Sequence, residues 1–263
     1  MPSGTRPKLA VFKFASCDGC QLALLSLEDE LLALVDEVMI SYFLEARSRT
    51  LPGPYDVALV EGSITTAEDL ERLRVVRKES KCLVTIGACA TAGGIQALRN
   101  WQDAGEFARA VYPTPAFIKT LNQSTPISAH VAVDFELSGC PINKYQALAV
   151  LTDLLMGRTP HLPRHSVCVE CKRRGTACVL VAQGLPCLGP LTQAGCGALC
   201  PAYQRGCYGC FGPMESPNPD PLAARLLDAG VPRPQLVRLL RGFTGYAEVF
   251  RSAGDKLEKP TPA

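Results

Sequence analysis

The sequence predicts an α/β chain: a doubly wound parallel sheet over residues 1–157, then an irregular, cysteine-rich domain over 158–263. Three observations carry that reading. Apolar runs of strand length alternate with stretches of helical period through the first half. Cysteines beside glycines follow the carboxyl ends of three of those runs. From Gly157 onward glycine and proline become frequent, apolar periodicity fades, and eight cysteines fall between Cys168 and Cys210.

Leu9–Ala15 reads as a buried first strand. Cys17-Asp18-Gly19-Cys20 follows, and then Gln21–Val35, where Leu24, Leu27, Leu31 and Leu34 recur at helical steps. Val38–Leu44 is a short strand and Arg47 to Pro54 a polar loop. Tyr55–Glu61 is a third strand, closed by Gly62. Thr66, with Asp69 three residues on, caps a helix whose inner face is Leu70, Leu73 and Val76. Cys82–Ile86 is a fourth strand, ending in Gly87-Ala88-Cys89. Trp101 to Pro126 reads as irregular, since Pro113, Pro115 and Pro126 argue against long elements. Val131–Leu137 is a fifth strand, followed by Ser138-Gly139-Cys140-Pro141. Asn143 starts a helix with Tyr145, Leu148, Leu151 and Leu155 inward and Gly157 as its stop. This alternation implies a flavodoxin-like sheet, whose ligands lie beyond the carboxyl ends of the strands.

Composition narrows the function. The 263 residues suffice for one sizeable core plus an appendage, or for two small domains. A net charge of +2 without a basic stripe gives no support for nucleic-acid binding. No stretch is apolar enough to span a bilayer. Met1 to Ala15 lacks the order of a secretory signal, and the expectation is a soluble, cytoplasmic protein. The 13 cysteines are not those of a short secreted disulfide scaffold. Clustered in C-x2-C pairs, they suit metal clusters held by four thiolates each, three sets with one cysteine left over.

Cys17, Cys20, Cys89 and Cys140 lie just past strand ends, so the fold would bring them to one edge. Helix N-termini there favour thiolate. Cys82, at the start of a strand beside Leu83 and Val84, reads as a core cysteine instead. In the second half the spacing is C-x2-C-x6-C-x8-C, then C-x8-C-x3-C-P-x5-C-x2-C. The piece from Cys196 to Pro201 echoes the end of a bacterial ferredoxin run. A zinc ribbon would set its two C-x2-C pairs much closer than Cys168 and Cys207. Iron–sulfur is therefore preferred, with metal needed to order the segment. His161 and His165 lie upstream but are outnumbered as ligands by eight thiols. Leu222–Leu227 and Pro234–Leu240 carry short helical patterns, broken by Gly230-Val231-Pro232, and Asp255–Ala263 reads as a frayed tail.

Cys17-Asp-Gly-Cys20, Val60-Glu-Gly-Ser-Ile64, Gly87-Ala-Cys-Ala-Thr-Ala-Gly-Gly-Ile95 and Gly139-Cys-Pro141 together resemble the small subunit of nickel–iron hydrogenases. The second half resembles that family's two-cluster domain, including Cys187-Leu-Gly-Pro190 with Cys196 following. The resemblance implies a proximal 4Fe–4S cluster on Cys17, Cys20, Cys89 and Cys140, facing the nickel–iron site of a separate large subunit. It implies a distal cluster on Cys168, Cys171, Cys178 and Cys187, and a medial one on Cys196, Cys200, Cys207 and Cys210. The exported branch of the family has histidine where Cys168 stands and three cysteines on a 3Fe–4S medial cluster, so Cys200 looks like an added fourth thiol. The pattern is most similar to the cytoplasmic sulfhydrogenase or NAD(P)-linked branch, which works with flavin and iron–sulfur partner subunits. The related small subunit of respiratory complex I has adjacent paired cysteines and lacks the second half.

The chain has no nucleophile or base constellation that outweighs its cysteines, so the expected role is electron transfer, with hydrogen chemistry in the partner. Glu61, at the carboxyl end of the third strand, is a candidate for supporting the proximal ligands or touching a partner, set against a solvated loop carboxylate. The alternatives are a stand-alone ferredoxin-like carrier, or a viologen- or deazaflavin-linked hydrogenase small subunit. An acidic docking surface would mark the carrier, and the near-neutral charge argues against it.

Overall fold

The computed structural model describes residues 6–259. The chain separates into two compact units, Met1–His161 and Leu162–Ala263. Among the described residues no helix is long and apolar enough to cross a membrane.

The first unit is built on five parallel strands: β1 (Lys8–Lys13), β2 (Met39–Phe43), β3 (Tyr55–Glu61), β4 (Ser80–Ile86) and β5 (Phe135–Leu137), in the order β2-β1-β3-β4-β5. This is the flavodoxin-like order expected from the alternation. Interior strands of a parallel sheet are covered on both faces and read as continuous apolar runs. In β3 every residue but Asp56 is buried. Lys13 is in register with Glu61, Glu61 with Ile86, and Ile86 with Leu137. The carboxyl ends of four strands therefore form one straight edge, and the cysteine-bearing loops all leave from it. The order reverses between β1 and β3, where such sheets leave a crevice.

The first-half helices are α1 (Gly19–Leu25), α2 (Asp29–Glu37), α3 (Ala67–Glu79), α4 (Gly87–Ala92), α5 (Ala104–Val111) and α6 (Lys144–Leu155). The single helix expected over Gln21–Val35 is two, because Glu28 takes a positive φ of 53° that no helix continues through. Leu24, Leu27 and Leu34 stay buried, so the hydrophobic period survives the break. Thr66 caps α3 as its spacing implies, accepting from the Asp69 amide at 3.0 Å.

Two expectations need correction. Trp101 to Pro126 contains α5, capped by Asp103, whose carboxylate accepts from the amides of Gly105 and Glu106. The three prolines of that stretch all follow the helix and so do not break it. In α6 the inward face is Ala147, Val150 and Leu151, while Tyr145 is 59% exposed. The helix is apolar almost all round, so its period alone fixes no unique face.

The second unit contains α7 (Val167–Arg173), α8 (Val179–Ala182), α9 (Leu199–Ala202), α10 (Pro219–Asp228), α11 (Arg233–Leu240) and α12 (Glu248–Glu258). Its last three helices enclose a conventional core, with Leu188, Leu191, Leu222, Leu226, Leu236, Leu240 and Phe250 packed together. Asp255–Glu258 are the end of α12 rather than a frayed tail, and Arg241 ion-pairs with Asp255 and Glu258 there. Residues 260–263 of that expected tail lie outside the described residues. The cysteine-bearing stretch before Pro219 has only short helices; its Leu188 and Leu191 join the core of the last three helices, while Cys187 and Cys207 pack with Val167, Val179 and Ala198.

Candidate metal centres

In the first unit Cys17 and Cys20 occupy the turn from β1 into α1. Asp18 takes φ 64°, which an aspartate tolerates better than most side chains, and Lys13 holds its carboxylate at 2.5 Å. A Cβ on Gly19 would lie 3.4 Å from Cys17 Sγ and 3.7 Å from Pro141 Cβ, so this turn lies beside the one after β5. The Ala88 amide donates to Gly139 O at 2.7 Å, which joins the turns after β4 and β5. Cys89 lies in α4 and Cys140 just beyond β5.

The glycines among these loops leave the sulfurs their space. A Cβ on Gly87 would stand 2.4 Å from Cys20 Sγ, and one on Gly94 would stand 2.6 Å from Cys89 Sγ. Both residues have positive φ, 87° and 67°. The Ile142 amide donates to the Cys20 sulfur.

Burial pushes the Cys20 thiol far up, and the nearby Glu61, Cys89 and Cys140 push it further. Cys89 is pushed up to about 11 by burial, against a hydrogen bond from Gln96, with Cys140 and Cys17 adding. Burial also raises Cys140, with Cys17 and Glu61 adding. The ionisation of Cys20, Cys89 and Cys140 is thus opposed by burial and by neighbouring thiols and Glu61. Such thiols become thiolates together only when a cation supplies the compensating charge.

Glu61 is 1% exposed, so it is not a solvated loop carboxylate. Its Oε1 accepts from the Cys20 amide at 3.0 Å and its Oε2 from Gln21 Nε2 at 2.7 Å. Burial raises its pKa above the usual carboxylate value despite both bonds. Glu61 thus anchors the Cys17–Cys20 turn to the end of β3. Cys82 lies half-buried in β4, raised by burial and by Asp134.

In the second unit Cys168 and Cys171 are one turn apart on α7, Cys178 precedes α8, and Cys187 is buried. A Cβ on Gly189 would touch both Cys187 Sγ and Cys168 Sγ, at 3.3 and 3.6 Å. Burial raises Cys171 to about 11, with Cys168, Cys187, Cys178 and Cys196 adding. Cys171 thus has Cys168, Cys178, Cys187 and Cys196 all as electrostatic neighbours. Burial raises Cys196, with Glu170 and Cys200 adding, and raises Cys207 to about 12, with Cys187 and Cys210 adding. Cys200 is thus an electrostatic neighbour of both Cys196 and Cys187, and Cys207 has both Cys187 and Cys210 beside it. Backbone amides aim at the sulfurs: Cys207 N and Gly189 N donate to Cys187 Sγ at 3.2 and 3.4 Å, and Gly209 N to Cys207 Sγ at 3.5 Å. His161 is exposed and the His165 ring contacts Ser166 O at 3.3 Å.

The sequence reading missed Glu170. Its Oε1 accepts from Gly195 N at 2.9 Å and its Oε2 from Ala198 N at 3.1 Å, with Cys196 Sγ at 3.9 Å. It clamps the Cys196–Cys200 loop to the helix that carries Cys168 and Cys171. A carboxylate inside a C-x2-C pair was the available signal.

The donor set suits iron–sulfur chemistry: many thiols on neighbouring loops, amides directed at sulfur, and glycines where a Cβ would intrude. Among the described residues no three His, Cys, Asp or Glu side chains close round a single ion. That is no obstacle to a four-iron cluster, whose thiolates attach to separate irons.

A family model described as NADH ubiquinone oxidoreductase, 20 Kd subunit, matches residues 17–154, the stretch from Cys17 to the end of α6. The chain is also 40% identical over 240 residues to the delta subunit of sulfhydrogenase 2 from Pyrococcus furiosus, covering 91% of this chain and 100% of that one. It belongs to this family, as a hydrogenase small subunit. The crystal structure of an NAD+-reducing [NiFe]-hydrogenase in the H2-reduced state contains a chain 32% identical to it, with TM-score 0.56, over 60% of this chain and 96% of that one. The actinobacterial-type NiFe-hydrogenase from Ralstonia eutropha H16 shares the fold with TM-score 0.59, at 17% identity, over 99% of this chain and 93% of that one. This nickel–iron hydrogenase small subunit is thus part of an oxidoreductase, and the second half present here is shared with hydrogenases.

Proposed function

We propose that this small subunit carries electrons between the nickel–iron site of a large subunit and a NAD(P)-linked flavin and iron–sulfur subunit, through three 4Fe–4S clusters, in the cytoplasm. Residues 1–157 hold the proximal cluster on Cys17, Cys20, Cys89 and Cys140. Residues 158–263 hold a distal cluster on Cys168, Cys171, Cys178 and Cys187 and a medial one on Cys196, Cys200, Cys207 and Cys210. What supports the reading is the placement of three cysteine-bearing loops at one carboxyl edge of the sheet, with a second thiol-rich unit following in the same chain.

A bound 4Fe–4S cluster supplies one-electron transfer at a potential set by its ligands, hydrogen bonds and burial. This chain's residues provide the setting. Glu61 fixes the Cys17–Cys20 turn, Gly87 and Gly94 keep Cβ atoms away from sulfur, and Glu170 fixes the loop of Cys196. In this reading hydrogen is split at the nickel–iron site of the large subunit, and this chain conducts the electrons.

The test is to purify the native complex anaerobically and assay hydrogen oxidation separately with NAD+, NADP+, deazaflavin and viologen. Turnover with a nicotinamide in a nickel-containing complex supports the reading. Turnover with deazaflavin alone reassigns the acceptor. A lone, nickel-free monomer on size-exclusion chromatography would establish the stand-alone carrier instead.

A further inference from the structure

A pocket of about 460 Å³ opens in the second unit, beside the cysteine loops. Its walls carry Arg205 and Arg238, with Tyr208, Gln204 and Gln235, and no Asp or Glu lines it. Among the described residues neither guanidinium has an ion-pair partner. Gln235, Arg238 and Leu239 share one face of α11, so that face supplies one wall. The opposite wall is Pro186 and Gly206, each adjacent in sequence to a cysteine, Cys187 and Cys207.

That second wall cannot be moved away from the sulfurs. A Cβ on Gly206 would lie 1.8 Å from Pro186 O, so the two backbones touch because residue 206 is glycine. Leu188 N donates to Cys207 O at 2.9 Å and Cys207 N to Cys187 Sγ at 3.2 Å. Arg205 N donates to Cys200 O at 3.0 Å, which fixes the arginine's backbone against a further thiol. The pocket is therefore the outer surface of the same backbone that presents Cys187, Cys200 and Cys207. Two guanidiniums without ion-pair partners, with amide and phenol donors and the apolar side chains of Leu185, Pro186 and Leu239 among the lining, match a carboxylate-rich protein surface with an apolar centre.

We propose that this pocket docks an acidic, carboxylate-bearing segment of a protein electron acceptor. The inference rests on the electron-transfer reading above and adds to it an exit for a soluble protein acceptor, separate from the NAD(P)-linked subunit. Each encounter reduces one oxidised acceptor by one electron, and no bond is made or broken. Hydrogen oxidised in the partner supplies one electron and one proton per acceptor reduced. The open positive pocket steers an acidic acceptor to the thiol-bearing backbone before contact.

The test uses the native complex under hydrogen with two oxidants: an acidic 2[4Fe–4S] ferredoxin as protein probe, and benzyl viologen, a small cation. Arg205→Glu with Arg238→Glu should lower kcat/KM for ferredoxin at low salt about tenfold or more, through KM, and flatten its salt dependence. Iron content and viologen reduction should match the unmodified complex. Should the double variant lose iron, Arg238→Glu alone, on α11 and outside the cysteine loops, should still raise the ferredoxin KM. Unchanged ferredoxin kinetics in the variants would overturn the proposal. So would an unmodified complex that reduces viologen but not ferredoxin, or a parallel fall in both activities with iron intact. Failure of the unmodified complex to reduce viologen would instead break the electron-transfer reading.

Discussion

At the residue scale the account turns on which positions touch sulfur. Gly87 has φ 87° and its missing Cβ leaves room beside Cys20 Sγ, so Gly87→Ala combines about 1–2 kcal/mol of backbone strain with a clash. It should empty the proximal site while leaving the second unit's iron in place, read as a loss of about a third of the iron and of one electron paramagnetic resonance signal. Cys82→Ala is the contrast. It lies in β4 and is flanked electrostatically by Asp134 and Arg77, so it should keep full iron at a cost of about 1 kcal/mol or less in denaturant unfolding. If Cys82→Ala loses iron, the proximal ligand set is wrong. Cys200 carries the finest distinction. It is the fourth thiol of the proposed medial set, and a cluster lacking one protein ligand loses the iron at that corner. Cys200→Ala should therefore yield a three-iron medial cluster with a new oxidised-state resonance signal. Oxidation of hydrogen with a high-potential dye should persist, while electron flow from reduced nicotinamide weakens. Three ordinary four-iron clusters in the variant would mean that Cys200 is not a ligand. The thiols themselves were legible in the sequence, because spacing and flanking glycines mark them. Glu61 was legible only as one of two readings and Glu170 not at all, because their partners, chiefly backbone amides, are brought close only by folding.

Elements show where pattern reading succeeds. β3 and α3 were legible, since a continuous apolar run and a Thr–Asp cap are local signals with one physical meaning. The break at Glu28 and the face of α6 were not, because a positive φ on glutamate and an all-round apolar helix are settled by tertiary packing. The short edge strand β5 depends on a single carboxylate. Asp134 Oδ2 accepts from Leu83 N at 2.7 Å and from Arg77 at 2.5 Å, tying the approach to β5 to β4 and α3. Burial by itself would raise this carboxyl's pKa, but the Leu83 amide and Arg77 outweigh it and hold it below 3.8. A carboxyl depressed on folding stabilises the fold above its unfolded value and loses that contribution as pH falls through the folded one. Asp134→Asn should therefore be less stable near neutral pH, and the difference should shrink below about pH 3.9. A difference that holds constant down to acid would contradict this reading. β5 positions Cys140, so the weakened strand should also release proximal iron sooner under chelator.

At the scale of the whole molecule the chain divides its labour between two units. The sheet unit folds round an apolar core that owes nothing to metal, with Leu73, Leu83 and Ile127 fully buried. In the second unit, α10 to α12 form a comparable small core, which the sequence hid behind its cysteine count. Between Leu162 and Pro219 one of the apolar clusters includes Cys187 and Cys207, so metal bound there would contribute folding free energy. Stripping iron should raise amide exchange in that stretch far more than in α10 to α12. The central claim is that twelve of the 13 cysteines hold three four-iron clusters, and iron and acid-labile sulfide analysis tests it most directly. The chain isolated anaerobically, without partner subunits, should contain about twelve iron and about twelve sulfide per polypeptide. A value near eight would remove one cluster, and zinc in place of iron would contradict the account outright.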